Sequence, residues 1–234
     1  FSFYGMRGML AVFMVSQLKM DETTANLQYG ATQAWVYAFT FIGGLFADKI
    51  LGLRKSLFWG GILMIIGSII LAVSPKELFF TGIGFSIVGT GFFKPNISSM
   101  VGQLYKDGDV RRDAGFSLFY AGINLGALLG GYVCIAVANG TLWSGFVPEN
   151  MRWNYAFGFA AVVMIISLLT FTQTQKSLGE IGLSPLVTVE KSKRKIYEVL
   201  TYIGSLALIP IIILMVANTV YTDYFMMIIG PASI

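Results

Sequence analysis

Apolar runs of roughly twenty residues alternate with short polar connections along most of this chain, a length that lets a helix cross the ~30 Å hydrocarbon layer of a bilayer. The runs occupy 1–18, 27–46, 56–73, 78–104, 114–138 and 153–172. None alternates apolar and polar residues as a barrel strand does, and a backbone in lipid must satisfy its own hydrogen bonds. The pattern therefore predicts six transmembrane helices. At 173–195 the composition shifts to Gly179, Gly182, Pro185 and a basic cluster, which predicts a cytoplasmic linker. A fresh apolar run at 196–217, a polar turn at 218–223 and the start of another run follow.

Six helices, a polar linker and renewed hydrophobic runs form the pattern of a two-bundle transporter followed just past its first half. The chain opens on Phe1 inside an apolar run and ends at Ile234 inside another, which reads as truncation. The predicted units are a six-helix bundle at 1–172 with a shortened first helix, the linker at 173–195, and an incomplete inserted hairpin at 196–234.

Composition removes the soluble classes. Hydrophobic residues make up 56% and charged residues 12%, with no histidine, and mean hydropathy is +0.72, whereas a soluble domain carries about a quarter charged residues. The net charge of +4 is no nucleic-acid signature, because the cations cluster in a few loops. With the chain start in the cytoplasm, the inner connections hold Lys49, Arg54, Lys55, Lys106, Arg111, Arg112, Lys176, Lys191, Lys193, Arg194 and Lys195; the outer ones hold only Lys19, Lys76 and Arg152. This asymmetry predicts a multi-pass protein of the cytoplasmic (inner) membrane with a cytoplasmic N-terminus. The lone Cys134 sits in an apolar run, supports neither a disulfide framework nor a metal site, and reads as a small packing residue.

Two cations fall inside the runs, Arg7 and Lys94, and no carboxylate lies at comparable depth. A charge there survives when it faces a wet cavity or an anionic partner. The partner is expected to be a bound anionic substrate or a glutamate beyond this sequence. Phe3 and Tyr4 precede Arg7 by four and three positions, on its own helical face. Gln33, Tyr37 and Phe41 share one face of the second helix, and Tyr120 and Asn124 one face of the fifth. These positions suit a substrate site and interhelical hydrogen bonding alike. Pro95 removes the hydrogen bond to the Gly91 carbonyl and predicts a kink beside Lys94. Ser98, one turn on, is placed to hydrate the ammonium group. Gly126 and Gly130 predict close helix packing. Glu198 and Asp223, at the ends of the last runs, read as interfacial. With no histidine and no carboxylate at depth, an embedded hydrolase is disfavoured and a non-enzyme is expected.

The connection from Gly44 through Asp48, Lys49 and Gly52 to Arg54 and Lys55 resembles the G-x-x-x-D-[RK]-x-x-G-x-[RK]-[RK] signature of the major facilitator superfamily. Gly89-Thr-Gly-Phe-Phe-Lys94-Pro95-Asn96-Ile-Ser98 and Phe119-Tyr120-Ala-Gly-Ile-Asn124-Leu-Gly126 resemble two signature segments of the proton-coupled oligopeptide transporter family. The opening Phe1-Ser-Phe3-Tyr4-Gly5-Met6-Arg7 is similar to the end of that family's E-x-x-E-R-F-x-x-Y-G motif. The resemblance runs from Phe1 to about Thr172.

It implies an all-helical membrane fold of the major facilitator type and symport of di- and tripeptides, with protons as coupling ion and no other cofactor. Arg7 and Lys94 match the family's basic pair for the peptide carboxylate, and Tyr4, Tyr37 and Asn124 match residues that line the pocket. Phe3 stands where many relatives have Tyr, so a hydroxyl is missing. The family's proton-handling glutamates fall outside this sequence. The run at 196–217 is similar to the first helix of a hairpin inserted between the two bundles of bacterial members; the alternative is the seventh core helix. The implied partners are small peptides, the bilayer and the remainder of the same chain. The same cations would serve a carrier of another anion, such as nitrate or a carboxylated metabolite, and a receptor that transports nothing is the reading from a different class.

Overall fold

A hydrogen bond of 3.0 Å from the Thr24 amide to the Asp21 carboxylate starts the second helix five residues before its apolar run, by satisfying an amide that the first helical turn leaves free. Local chemistry of this kind moves several helix ends past the hydrophobic boundaries. The computed structural model describes residues 1–106, 108–218, 220, 221, 224 and 227. Its helices are α1 (Ser2–Ser16), α2 (Glu22–Phe46), α3 (Leu53–Val73), α4 (Phe79–Gln103), α5 (Arg112–Ala138), α6 (Arg152–Thr174) and α7 (Lys191–Ala217). No strand occurs among the described residues. Asp223 lies outside them.

The start of α7 corrects the expected linker. Lys191, Lys193, Arg194 and Lys195 belong to the opening turns of α7, and the connection shrinks to 175–190. Arg194 and Glu198, four residues apart and 3.1 Å from each other, tie successive turns where hydropathy alone shows no helix.

Among the described residues, α2, α3, α5, α6 and α7 are long and apolar enough to cross a membrane. Helix α1 has 15 residues, and α4 is diluted by Lys94, Pro95, Asn96, Ser98 and Ser99. The polarity of α4 fits its place, since it is wrapped by α3, α2 and α7 rather than set against lipid. Helix α1 packs chiefly on α5, and α6 on α3.

The wrapping of α4 depends on bare backbone. A Cβ on Gly43 of α2 would run into the Gly91 backbone of α4, and one on Gly91 would lie 2.6 Å from the Phe39 carbonyl oxygen. Pro95 leaves the Gly91 carbonyl without its usual intrahelical donor, and that carbonyl abuts Gly43. Asn96, fully buried, then donates to the Phe92 carbonyl at 2.7 Å and the Gly43 carbonyl at 3.5 Å. Helix α4 continues through Pro95, and Asn96 serves as a tie between α4 and α2. Gly126 and Gly130 bring α5 against the Phe1 backbone, and Cys134 is buried beside Gly5. Elsewhere in the core, Phe13 packs on Phe79, Trp153 and Phe157 at centroid distances of 5.1, 5.0 and 5.5 Å.

Candidate functional site

Lys94 is half-buried on α4. Its ammonium lies 5.3 Å from the Phe3 ring centroid and 5.0 Å from that of Tyr37. Two ring faces hold it by their quadrupoles, a weak attraction that leaves its hydrogen-bond donors free for an anion. The crevice beside it, about 170 Å³, is lined by Phe3 and Tyr4 of α1, Thr90, Phe93 and Lys94 of α4, and Phe119 and Ile123 of α5.

Arg7 is likewise half-buried, and its Nε donates to the Tyr29 hydroxyl at 2.7 Å. Sequence reasoning missed Tyr29, although it opens the four-residue series Tyr29, Gln33, Tyr37 and Phe41 along α2. Arg7 lines a second, tighter crevice with Gln33, and both crevices share Phe3 and Thr90 as wall. The two cations therefore flank one aromatic partition. Neither forms an ion pair with a described carboxylate. Gln33 keeps both amide atoms buried without a partner, as Thr90 keeps its hydroxyl.

Several predicted residues stand elsewhere. Tyr37 contacts Lys94 yet is 59% exposed, so it closes the crevice on its open side. Tyr120 and Asn124 lie on an exposed face of α5, while their neighbours Phe119 and Ile123 line the Lys94 crevice. Among the described residues, Tyr120 makes ring contacts with Phe116 and Phe119. Ser98 lines a separate cavity with Lys106 and Arg112, not the space around Lys94.

The α2–α3 connection is held by the linker. Ala47–Leu51 forms a π-helical turn, and Gly52 has φ +79°, with its missing Cβ 2.5 Å from the Leu183–Ser184 backbone. Arg54 donates through Nε to the Ile181 carbonyl and through Nη2 to the Gly179 carbonyl, each at 2.6 Å, and its amide donates to the Gly182 carbonyl at 3.0 Å. Ser184 returns a 2.6 Å bond to the Ile50 carbonyl. Lys55 reaches both Glu198 oxygens at 2.6 Å, so Glu198 joins α7 to α3. Asp48 is exposed, with no hydrogen bond or ion pair to a described residue. Gly44 faces Pro95 across the α2–α4 contact.

The strap gives a test. Arg54→Ala removes two charge-assisted bonds and is expected to loosen 179–184 by about 2 kcal/mol. Limited proteolysis should show cleavage there rising at least tenfold, and Arg54→Lys, which lacks the fork, should rescue it only in part.

Two carboxylates beside helix starts are tied down. Arg111 holds Asp109 at a pKa of about 2 through hydrogen bonds, and the Thr24 bonds lower Asp21. Both shifts favour the ionised form.

A family model described as "POT family" matches residues 54–217. The chain belongs to the POT family. It is 38% identical over 179 residues to the peptide transporter YePEPT of Yersinia enterocolitica, which covers 73% of this chain and 33% of that one. It is 35% identical over 223 residues to a di-/tripeptide transporter of Lactococcus lactis, covering 89% and 42%. A crystal structure of a POT peptide transporter in complex with alafosfalin superposes with a TM-score of 0.74 at 35% identity, over 100% of this chain and 46% of the other. The chain thus spans less than half the length of these relatives. With this match the fold is that of a POT-type major facilitator, of which the chain supplies the N-terminal part.

Proposed function

We propose that the full-length protein is a proton-coupled symporter of di- and tripeptides in the cytoplasmic membrane, working by alternating access. The observation that carries this reading is the pair Arg7 and Lys94, half-buried, flanking Phe3 and unpaired by any described carboxylate. Such cations are costly in a membrane without an anionic guest. A peptide carboxylate meets the requirement: Arg7 presents a planar fork and Lys94 a point charge. Tyr4 and Tyr37 border the space it would enter, and the exposed Tyr120 and Asn124 face where the C-terminal bundle would complete the cavity.

In this reading Gln33, with its unpartnered amide, receives Arg7 or the guest when the bundles rock. The POT relatives support peptides over nitrate or a carboxylated metabolite as cargo. The units are the bundle 1–172, a linker shortened to 175–190, and α7 as the first helix of an inserted hairpin. Packing of α7 on α2 and α4 of the same bundle supports that last assignment. The basic end, with Arg54, Arg111 and Lys191, faces the cytoplasm. Protons are the coupling ion, and no cofactor takes part.

The test is uptake by the full-length chain in proteoliposomes. A labelled dipeptide should concentrate when the outside is acidified, and collapse of the gradient should abolish this. Accumulation unaffected by the gradient would overturn proton coupling, and competition by simple carboxylates but not dipeptides would overturn the substrate. A smaller effect is expected at Tyr29. Tyr29→Phe frees Arg7 from a charge-assisted bond, and a two- to tenfold rise in KM with kcat nearly kept is the expected reading, of order 1 kcal/mol.

A further inference from the structure

Between α2 and the basic half of α7 lies a cavity of about 440 Å³ that the transport reading does not use. Phe39 and Phe46 of α2, Ile50 of the π-helical turn, Phe92 of α4, and Leu200 and Gly204 of α7 stand among its walls. Two of the three hydroxyl-bearing residues on the α7 wall, Thr201 and Ser205 beside Tyr197, have their hydroxyls already spent: Thr201 donates to the Tyr197 carbonyl at 2.9 Å, and Ser205 donates to the Tyr202 carbonyl while accepting from Trp59 Nε1 at 2.9 Å. An apolar guest entering this space meets no unpaired polar atom on those side chains. Gly204 holds the wall open, with nothing within 4 Å of where its Cβ would stand.

Cations also neighbour the cavity's lining residues along the chain. Lys49 directly precedes the lining residue Ile50 and is exposed. Lys193 lies one turn before Tyr197 on the same face of α7, with 69% of its side chain exposed and only a loose 3.9 Å contact to Glu190. Lys191, Arg194 and Lys195 complete a cluster of four cations in the first turns of α7. Four or more Lys and Arg at the cytoplasmic end of a membrane helix form a site for anionic lipid headgroups.

We infer that this crevice binds an anionic phospholipid of the inner leaflet, with one acyl chain between α2 and α7 and the phosphate on Lys49 and Lys193. The apolar walls select a hydrocarbon chain, and the rim selects a negative headgroup. Such a lipid would seal the seam along which α7 is fastened by Lys55–Glu198, Trp59–Ser205 and the bond from Gln28 to the Ala217 carbonyl at 2.9 Å. The site is separate from Arg7 and Lys94, so the inference stands apart from the choice of substrate.

Native mass spectrometry of the full-length chain, released from detergent with phosphatidylglycerol or phosphatidylcholine, reads the site directly. One phosphatidylglycerol should be retained in preference to phosphatidylcholine. The exposed double variant Lys49→Gln/Lys193→Gln should lower that retention by roughly 30-fold. Gly204→Leu, whose Cβ meets nothing within 4 Å and whose branch extends into the crevice, should displace the lipid while peptide uptake persists. Equal retention of the two lipids, or undiminished phosphatidylglycerol in both variants, would overturn the proposal. So would a photo-crosslink from a benzophenone amino acid introduced at position 204 to a later segment of the chain or to a second copy, because the crevice would then be covered by protein.

Discussion

Lys94→Ala in the full-length transporter is expected to abolish concentrative dipeptide uptake while leaving a folded protein in the membrane. The ammonium contacts two ring faces and no carboxylate among the described residues, so its removal takes little from the fold: each cation–π contact is worth about 0.5–1 kcal/mol at partly exposed sites. Its loss to a bound carboxylate is larger. A hydrogen bond to a charged group contributes about 1.5–3 kcal/mol, or roughly 10- to 100-fold in affinity. Because the proposed contact tightens as the bundles rock around the guest, the defect should appear in both KM and transport rate. Lys94→Arg keeps the charge but replaces a compact ammonium with a longer planar fork, and should restore only a fraction. Counterflow and gradient-driven uptake, normalised to folded protein by fluorescence-detected gel filtration, measure both quantities. Unchanged KM and rate in Lys94→Ala would remove the lysine from the site.

The largest effect on folding is expected at the α2–α4 crossing. Gly43→Val places two methyl groups where the Gly91 backbone already stands. Backbone cannot rotate aside as a side chain can, so the helices must part. Overpacking of ordinary core side chains costs about 1–3 kcal/mol, and here Asn96 would also be pulled from the Gly43 carbonyl. A thermal midpoint lowered by 10 °C or more, or no monodisperse protein at all, is the expected outcome. Gly30→Ala on the same helix is the control, since nothing lies within 4 Å of its Cβ position, and it should be neutral or slightly stabilising. Comparable behaviour of the two variants would show that the crossing is not as tight as the geometry makes it.

Much of this was legible in the sequence, for a reason rooted in lipid. Backbone in a bilayer has one economical arrangement, so six apolar runs gave six helices, and the cost of a buried charge singled out Arg7 and Lys94. The signal failed where polar chemistry takes over from hydropathy. Asp21 extends α2 backwards, and the Arg194–Glu198 pair carries α7 into what composition presents as linker. Tyr29 was hidden because a tyrosine reveals neither its partner nor its depth. Aromatic spacing on α1 pointed Phe3 and Tyr4 toward Arg7, whereas Phe3 faces Lys94 and Arg7 turns to α2. Tyr120 and Asn124 illustrate the remaining limit: their face on α5 follows from helical spacing, but what it meets depends on packing beyond this bundle.

The arrangement as a whole turns on whether Arg7 and Lys94 receive one carboxylate between them. Binding of alanyl-alanine and of its C-terminal amide to the full-length protein, in the wild type, Arg7→Ala, Lys94→Ala and the double variant, measures this through the preference for acid over amide. The wild type should prefer the acid by at least tenfold, each single variant should lose most of that preference, and the double variant should lose little more, as coupled partners do. A preference for the acid that survives intact in both single variants would contradict the account.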